Sequence, residues 1–115
     1  MRILVCGGRD YADRDRVFRV LDEKLWQCGH IEYLIEGDAR GADKLAGEWA
    51  LACNVPNWKF PANWKQYGKR AGYLRNAKML EEGKPDLVVA FPGGDGTAMM
   101  CRIAEKSGVE VMRVT

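Results

Sequence analysis

The stretch Ala90-Phe91-Pro92-Gly93-Gly94-Asp95-Gly96-Thr97 joins a short apolar run, residues 86–91, to a helical pattern, residues 98–106. The run predicts a buried strand and the pattern predicts a helix. Glycines at such a junction let backbone N–H groups approach an anion, because glycine adopts positive φ angles and carries no Cβ. Thr97 is expected to cap the helix, whose N-terminus adds a partial positive charge. We interpret the stretch as a phosphate-binding turn; a plain tight turn is the alternative. The candidate ligand contacts are Pro92, Gly93, Gly94, Gly96 and Thr97.

Strands alternate with helices along the rest of the chain. The apolar patterns predict strands over residues 2–6, 32–36, 55–61 and 109–114, and helices over residues 13–27, 42–53 and 69–82, with a loop over residues 62–68. Prolines in the third strand predict a place near a sheet edge. This alternation is typical of an α/β protein with a parallel sheet and right-handed crossovers. We therefore predict one domain, residues 1–115, folded as a Rossmann-like three-layer sandwich with strand order 3-2-1-4-5.

Composition narrows the function classes. The net charge of +2 gives no strong field for a nucleic acid or a membrane surface, so nucleic-acid binding is disfavoured. Four dispersed cysteines and a single histidine offer no paired metal-ligand spacing, and no metal is expected. Free thiols, with no signal peptide and no run of membrane-spanning length, predict a cytoplasmic protein. No GxGxxG motif follows the first strand, so neither NAD nor another cofactor is expected.

Two more glycine turns follow the first and second predicted strands. Gly7-Gly8-Arg9 brings flexible backbone and a guanidinium group, which suits bidentate phosphate recognition. The second turn spans residues 37–43 and contributes Gly37, Arg40 and Gly41 as further candidate contacts. In open parallel sheets ligands bind beyond the carboxyl ends of the strands, where the strand order reverses. The three turns are therefore predicted to converge on one crevice.

Other side chains are placed near this crevice by the pattern. Arg75 and Asn76 lie one turn before Met79 on the predicted third helix, and Arg75 is expected to face the ligand. Asp43 is a candidate for capping its helix, for binding ribose hydroxyls or for acting as a base. Trp64 and Tyr67 are candidates for stacking on a base, with ordinary packing as the alternative.

Five motifs together resemble the YspA branch of the SLOG superfamily. They are Gly7-Gly8-Arg9, Gly37-x-Ala39-Arg40-Gly41-Ala42-Asp43, Phe60-Pro61-Ala62-x-Trp64, Arg75-Asn76-x-x-Met79 and the stretch from Ala90 to Thr97. The branch is common in bacteria and phages. The superfamily also holds LOG-type nucleoside 5′-monophosphate phosphoribohydrolases, the DNA-processing protein DprA and sensor domains for NAD-derived signals. The resemblance implies a Rossmann-like fold and a ligand related to a nucleotide or ADP-ribose.

One position departs from the LOG-type enzymes. These enzymes carry PGGxGTxxE, whose glutamate acts with an arginine on the preceding helix, and Arg75 approximately matches that arginine. The glutamate position is Met100 here, and methionine cannot transfer a proton. A carboxylate from elsewhere would have to replace it, with Asp10, Asp38, Asp43 and Asp95 as candidates. Arg75 and Asp43 are our candidate catalytic residues.

Three functions stay open at this point. The first is a module that senses or sequesters a nucleotide or ADP-ribose-type molecule. The second is an enzyme that hydrolyses the N-glycosidic bond of a nucleotide, and the third is DprA-like nucleic-acid binding. Trp26, Trp49 and Trp58 are taken as exposed apolar positions and, together with the dimers common among superfamily relatives, predict a homodimer or a higher homo-oligomer; tryptophans buried in the core are the alternative.

Overall fold

The sheet is parallel throughout and has five strands in the order β3-β2-β1-β4-β5. The computed structural model describes all 115 residues. The strands are β1 (Arg2–Cys6), β2 (Tyr33–Glu36), β3 (Asn57–Lys59), β4 (Leu87–Ala90) and β5 (Glu110–Arg113). The helices are α1 (Arg14–Cys28), α2 (Ala42–Ala52), α3 (Trp64–Tyr67), α4 (Ala71–Gly83) and α5 (Asp95–Lys106), with a 3-10 turn at Gly68–Arg70. The predicted fold class and strand order are confirmed.

Helices cover both faces of the sheet. α1 and α2 pack on one face, where Trp49 and Leu21 join β1, β2 and β4 side chains in a buried cluster. α4 and α5 pack on the other face, where Met79 and Met100 join a second cluster. Ile3, Leu4 and Val5 of the central strand are fully buried between the two layers. Strands buried on both faces explain why β1 and β4 have continuous apolar sequences.

The predicted boundaries differ from the structure mainly around residues 55–71. β3 is only three residues long at the sheet edge, as its flanking prolines suggested, rather than covering residues 55–61. The predicted loop over residues 62–68 contains α3. Asn63 caps this helix, its Oδ1 accepting from the Gln66 N–H at 3.0 Å. The spacing of Asn63 and Gln66 resembles a capping box, a helix-start signal that the predicted loop did not take into account.

The tryptophans do not all support a homo-oligomer. Trp49 is fully buried within the monomer, and its Nε1 donates to Asp22 Oδ1 at 2.8 Å. The expectation that Trp49 is an exposed apolar position was therefore wrong. Trp26 is 85% exposed and Trp58 is 41% exposed. Of the three tryptophans, only Trp26 and Trp58 still support the predicted self-association.

None of the helices combines the length and the apolar character needed to cross a lipid bilayer.

Candidate functional site

A cleft of about 620 Å³ opens beyond the carboxyl ends of β1 and β4, on the side of α4 and α5. Strand order reverses at this point, because β1 is followed in space by β2 on one side and β4 on the other. Of the predicted site residues, those lining the cleft are Gly7, Gly8, Arg9, Asp43, Trp64, Arg75, Asn76, Gly94, Gly96 and Thr97. Residues far apart in the sequence therefore meet at one place.

The three glycine turns interlock through their backbones. The Gly8 N–H donates to the Pro92 carbonyl oxygen at 2.9 Å, and the Gly8 carbonyl oxygen accepts from the Ala42 N–H at 3.2 Å. Gly41 has φ of +79°, and a Cβ there would collide with the Gly8 carbonyl oxygen. Gly7 has no space for a Cβ either, because the Ala42 Cβ would lie 2.6 Å away. Close backbone packing explains these glycines.

The turn before α5 differs from its predicted geometry. Gly93, Gly94 and Gly96 all lack a positive φ, so that expectation was wrong. α5 begins at Asp95 rather than at residue 98, with Gly94 as its N-cap and no side-chain cap, so Thr97 is not the cap. Asp95 in the first turn is favoured by the helix dipole, which explains the earlier start.

The glycines of this turn have two different roles. A Cβ on Gly93 would collide with Thr97 Oγ1 and would lie 2.7 Å from the Gly8 backbone nitrogen. A Cβ on Gly94 or Gly96 would meet no atom within 4 Å, and both residues border the cleft. The first N–H groups of a helix have no partner within the helix. The uncapped start of α5 therefore presents free donors beside open space.

Arg75 is held at two points. Its Nη1 donates to the Gly37 carbonyl oxygen, and its Nε donates to Asn76 Oδ1 at 2.8 Å. Asn76 is buried and its Nδ2 donates to the Gly96 carbonyl oxygen at 3.4 Å, which connects α4 to the first turn of α5. Nη2 of Arg75 donates to no group of the chain. It is free to bind a ligand in the cleft.

Asp43 is 7% exposed at the floor of the cleft. Its Oδ2 accepts from the N–H groups of Gly37 at 3.1 Å and Ala39 at 3.3 Å. The side chain thus fastens the turn after β2 and does not cap α2, whose N-cap is Gly41. Burial, followed by repulsion from Glu36, raises the pKa of Asp43 to about 7. Oδ1 accepts no hydrogen bond from the chain and stays accessible from the cleft.

The two aromatic candidates lie in different places relative to the cleft. Trp64 lines the cleft, and the Arg9 guanidinium carbon lies 5.2 Å from the centre of its ring. The ring edge also packs against Gly72, where a Cβ would lie 3.2 Å from Trp64. Tyr67 is 45% exposed and lies outside the cleft lining.

Other predicted contacts lie behind the cleft or away from it. Gly37 and Gly41 are covered by Arg75 and Gly8, and Pro92 and Gly93 lie against Gly8 outside the cleft lining. Arg40 lines a different cleft, of about 700 Å³, on the side of α2 and β3. Its Nη2 also lies 3.7 Å from Oδ1 of Asp10, which follows β1 and does not line that cleft, and both side chains are largely exposed.

Several residues that line the cleft were not among the predicted ligand contacts. They are Cys6, Ala39, Lys69, Gly72, Tyr73, Met79, Asp95, Met99 and Arg102. Met99 and Arg102 follow Asp95 at i+4 and i+7, the spacing of one face of α5, a signal that was available. Lys69 and Tyr73 belong to the helix predicted over residues 69–82 but were not selected there as contacts; in the structure Lys69 lies in the 3-10 turn and Tyr73 in α4.

Met100 is fully buried in the cluster beneath α5 and does not line the cleft. Its neighbour Met99 borders the cleft instead and receives a contact from Asn76 Nδ2 at 3.7 Å. The position that carries glutamate in LOG-type enzymes therefore belongs to the core in this chain.

Comparison with known proteins agrees with the motifs. The family model described as "YspA, cpYpsA-related SLOG family" matches residues 1–67. The chain is also similar to the protein named "Gene 61 protein" of Mycobacterium phage D29, with 36% identity over 118 aligned residues that cover 96% of this chain and 94% of the relative. The chain belongs to the YspA, cpYpsA-related SLOG family.

Proposed function

We propose that the cleft binds a nucleotide or an ADP-ribose-type small molecule through its phosphate. The observation that carries this proposal is the uncapped start of α5 facing open space at Gly94 and Gly96, with Arg75 beside it. Helix N-termini attract phosphate through free N–H groups and the helix dipole. Arg9, Lys69 and Arg102 add positive charge around the same cleft.

In this proposal the base of the nucleotide stacks on Trp64. An aromatic ring at the cleft wall offers a π-face, and stacking of a base on such a ring contributes about 1–3 kcal/mol. Arg9 covers this ring at 5.2 Å, so its side chain would move or stack in turn when a base arrives. Tyr73, 55% exposed on α4, contributes a second aromatic group to the lining.

A binding protein of this kind would sense or sequester a nucleotide signal. SLOG membership supports a nucleotide-related function, and the relationship to a phage protein suits sequestration of a host signal. The net charge of +2 favours a small molecule over a nucleic acid as ligand.

A second candidate function is hydrolysis of the N-glycosidic bond of a nucleotide. Asp43 favours it, because a carboxyl group with a pKa of about 7 is suited to proton transfer near neutral pH. In this reaction Asp43 would assist the attack of water on the anomeric carbon, and Arg75 would hold the phosphate. The free base and the ribose phosphate would be the products.

The test combines binding and product analysis on one panel of AMP, ADP-ribose and unphosphorylated adenosine. Binding of AMP and ADP-ribose in calorimetry, with adenosine at least tenfold weaker, is expected from the phosphate contacts. No binding by either phosphorylated compound would contradict the proposal. Chromatographic detection of free adenine, absent with Arg75→Ala and Asp43→Asn, would establish the hydrolase; persistent intact ligand would leave a binding protein.

A further inference from the structure

The cleft contains one feature that a phosphate-binding site would be expected to avoid, namely a buried carboxyl group among its cations. Asp43 borders the same space as Arg9, Arg75 and the start of α5. Its Oδ2 is fixed by two backbone N–H groups, and its Oδ1 is left towards the cleft. An ionised Asp43 beside a bound anion would place two like charges together at a carboxyl group that is largely shielded from solvent, which is unfavourable.

We propose that Asp43 binds the anionic ligand in its protonated form, as a hydrogen-bond donor from Oδ1, so that the ligand enters the cleft with uptake of one proton. This inference rests on the proposed function and specifies its chemistry. The ligand group over Asp43 is then an acceptor such as a phosphate oxygen, rather than a sugar hydroxyl that donates to a carboxylate.

On balance, the residues around Asp43 favour its protonated form. Glu36 at the end of β2 is 1% exposed and repels an ionised Asp43, and Asp38 lies in the same turn. Arg75 from α4 attracts the ionised form without forming an ion pair with it, because both of its hydrogen bonds go to Gly37 and Asn76. Burial, followed by repulsion from Glu36, outweighs Arg75 and the two backbone N–H groups and raises the pKa of Asp43 to about 7 before any ligand is present; an anion would raise it further.

Two cysteines, one at the cleft and one buried beneath it, also have shifted pKa values, and their effect on binding must be distinguished from that of Asp43. Cys6 lines the cleft from the end of β1, and Cys101 of α5 lies in the same buried cluster. The Cys6 thiol, by hydrogen bonding, lowers the pKa of Cys101 to about 7. A Cys101 thiolate would also repel an anion at high pH, so the experiment includes Cys101→Ser.

The experiment measures the affinity of the full chain for inorganic sulfate, a phosphate mimic whose charge is constant from about pH 5.5 to about pH 9, by NMR titration. The wild-type affinity is expected to be constant below the pKa of about 7 and to fall about tenfold per pH unit above it. Asp43→Asn keeps an acceptor for the turn and a donor for the cleft, so its affinity should not depend on pH. Cys101→Ser should keep the wild-type dependence.

Asp95→Asn provides a matched loss of charge, because Asp95 is exposed and also lines the cleft. It is expected to raise the affinity at every pH without altering the slope. Calorimetry of the wild type in two buffers of different ionisation enthalpy counts the protons directly and does not depend on any variant folding. Uptake approaching one proton per sulfate at about pH 8 is expected.

Each remaining outcome overturns the inference. Sulfate binding that is independent of pH, with no proton uptake, would show that Asp43 is not protonated by the ligand and would leave the phosphate site in place. An unchanged slope in Asp43→Asn, with the slope lost in Cys101→Ser, would assign the proton to the thiol. No sulfate binding at any pH would remove the phosphate site itself, and the inference with it.

Discussion

Arg75 and Asp43 both form hydrogen bonds with the backbone of Gly37. The Arg75 Nη1 donates to the Gly37 carbonyl oxygen, while Asp43 Oδ2 accepts from the Gly37 N–H at 3.1 Å. Each side chain therefore fixes the turn after β2 through one polar atom. Another atom of each, Arg75 Nη2 and Asp43 Oδ1, has no partner in the chain and is left for the cleft. The Arg75 guanidinium group and the Asp43 carboxyl group are therefore held close together, because both are hydrogen-bonded to the backbone of the same residue.

Arg75 is predicted to contribute most of the phosphate affinity. Hydrogen bonds to charged groups contribute about 1.5–3 kcal/mol, so Arg75→Ala should weaken AMP binding about tenfold to a hundredfold. Arg70→Ala is the matched control, because Arg70 is exposed and outside the cleft lining. Calorimetry checks both variants. Equal losses in the two would show that general electrostatic attraction, and not Arg75, holds the ligand.

Substitutions at two glycines of the turn before α5 are predicted to have different effects, one on folding stability and the other on ligand binding. Gly93→Ala should reduce the free energy of unfolding by about 1–3 kcal/mol, because its Cβ collides with Thr97 and with the Gly8 nitrogen. Gly96→Val has free space around it, so its stability should change by less than about 0.5 kcal/mol while AMP binding weakens at least tenfold. Urea unfolding and calorimetry give the two values. Normal AMP affinity in a folded Gly96→Val protein would refute the anion site at α5.

Trp64 is predicted to recognise the base and not the phosphate. Loss of stacking should weaken AMP binding in Trp64→Ala by about 1–3 kcal/mol, with partial recovery in Trp64→Phe. Binding of ribose 5-phosphate, which has no base, should be unaffected by the same change. Trp26→Ala serves as the control at an 85% exposed position. A similar loss for both ligands would mean that Trp64 acts by supporting the cleft wall.

Folding stability is predicted to depend on pH through Asp43. The folded protein retains a proton that the unfolded chain releases, so stability should fall as pH rises from the ordinary value of 3.8 towards about 7, and then level off. The slope is at most about 1.4 kcal/mol per pH unit. Urea unfolding across this range should show the slope in the wild type and a flatter profile in Asp43→Asn.

Asp86 is predicted to change folding stability with the opposite pH dependence, and its variant therefore serves as a control. Hydrogen bonds from Arg2 lower the pKa of Asp86, so its contribution is present above the ordinary range and is lost as pH falls. Asp86→Asn should alter only the acid limb of the profile. A wild-type stability that rises steadily between pH 3.8 and about 7 would contradict the assignment to Asp43.

The architecture could be predicted from sequence because it depends on continuous apolar strands and on glycines at their ends. The convergence of the turns at residues 7–9, 37–43 and 92–97 followed from the rule that parallel strands point their carboxyl ends to one edge. Arg75 was located by the same rule together with helical spacing. These features are local or topological, and a single sequence displays them.

The remaining differences depend on contacts between distant segments. Arg40 lies next to the turn glycines in sequence, yet its side chain points to the other cleft and to Asp10. Trp49 is buried in the cluster beneath α1 and α2, and Asp22 of α1 accepts its N–H, a pairing that no local pattern reveals. The raised pKa of Asp43 likewise arises from burial and then from repulsion by Glu36, both of which require the assembled fold.

The interlocked turns constrain one part of the cleft, whereas another part is formed by a segment that has no backbone hydrogen bonds to these turns. Gly8 ties the turn after β1 to those before α2 and α5, so a change in one turn displaces the others. The segment from Asn63 to Arg70 is exposed along its whole length and supplies Trp64 and Lys69 without such ties. Under the proposed function, replacement of this segment alone would change the residues that contact the base and would leave the interlocked turns and Arg75 in place.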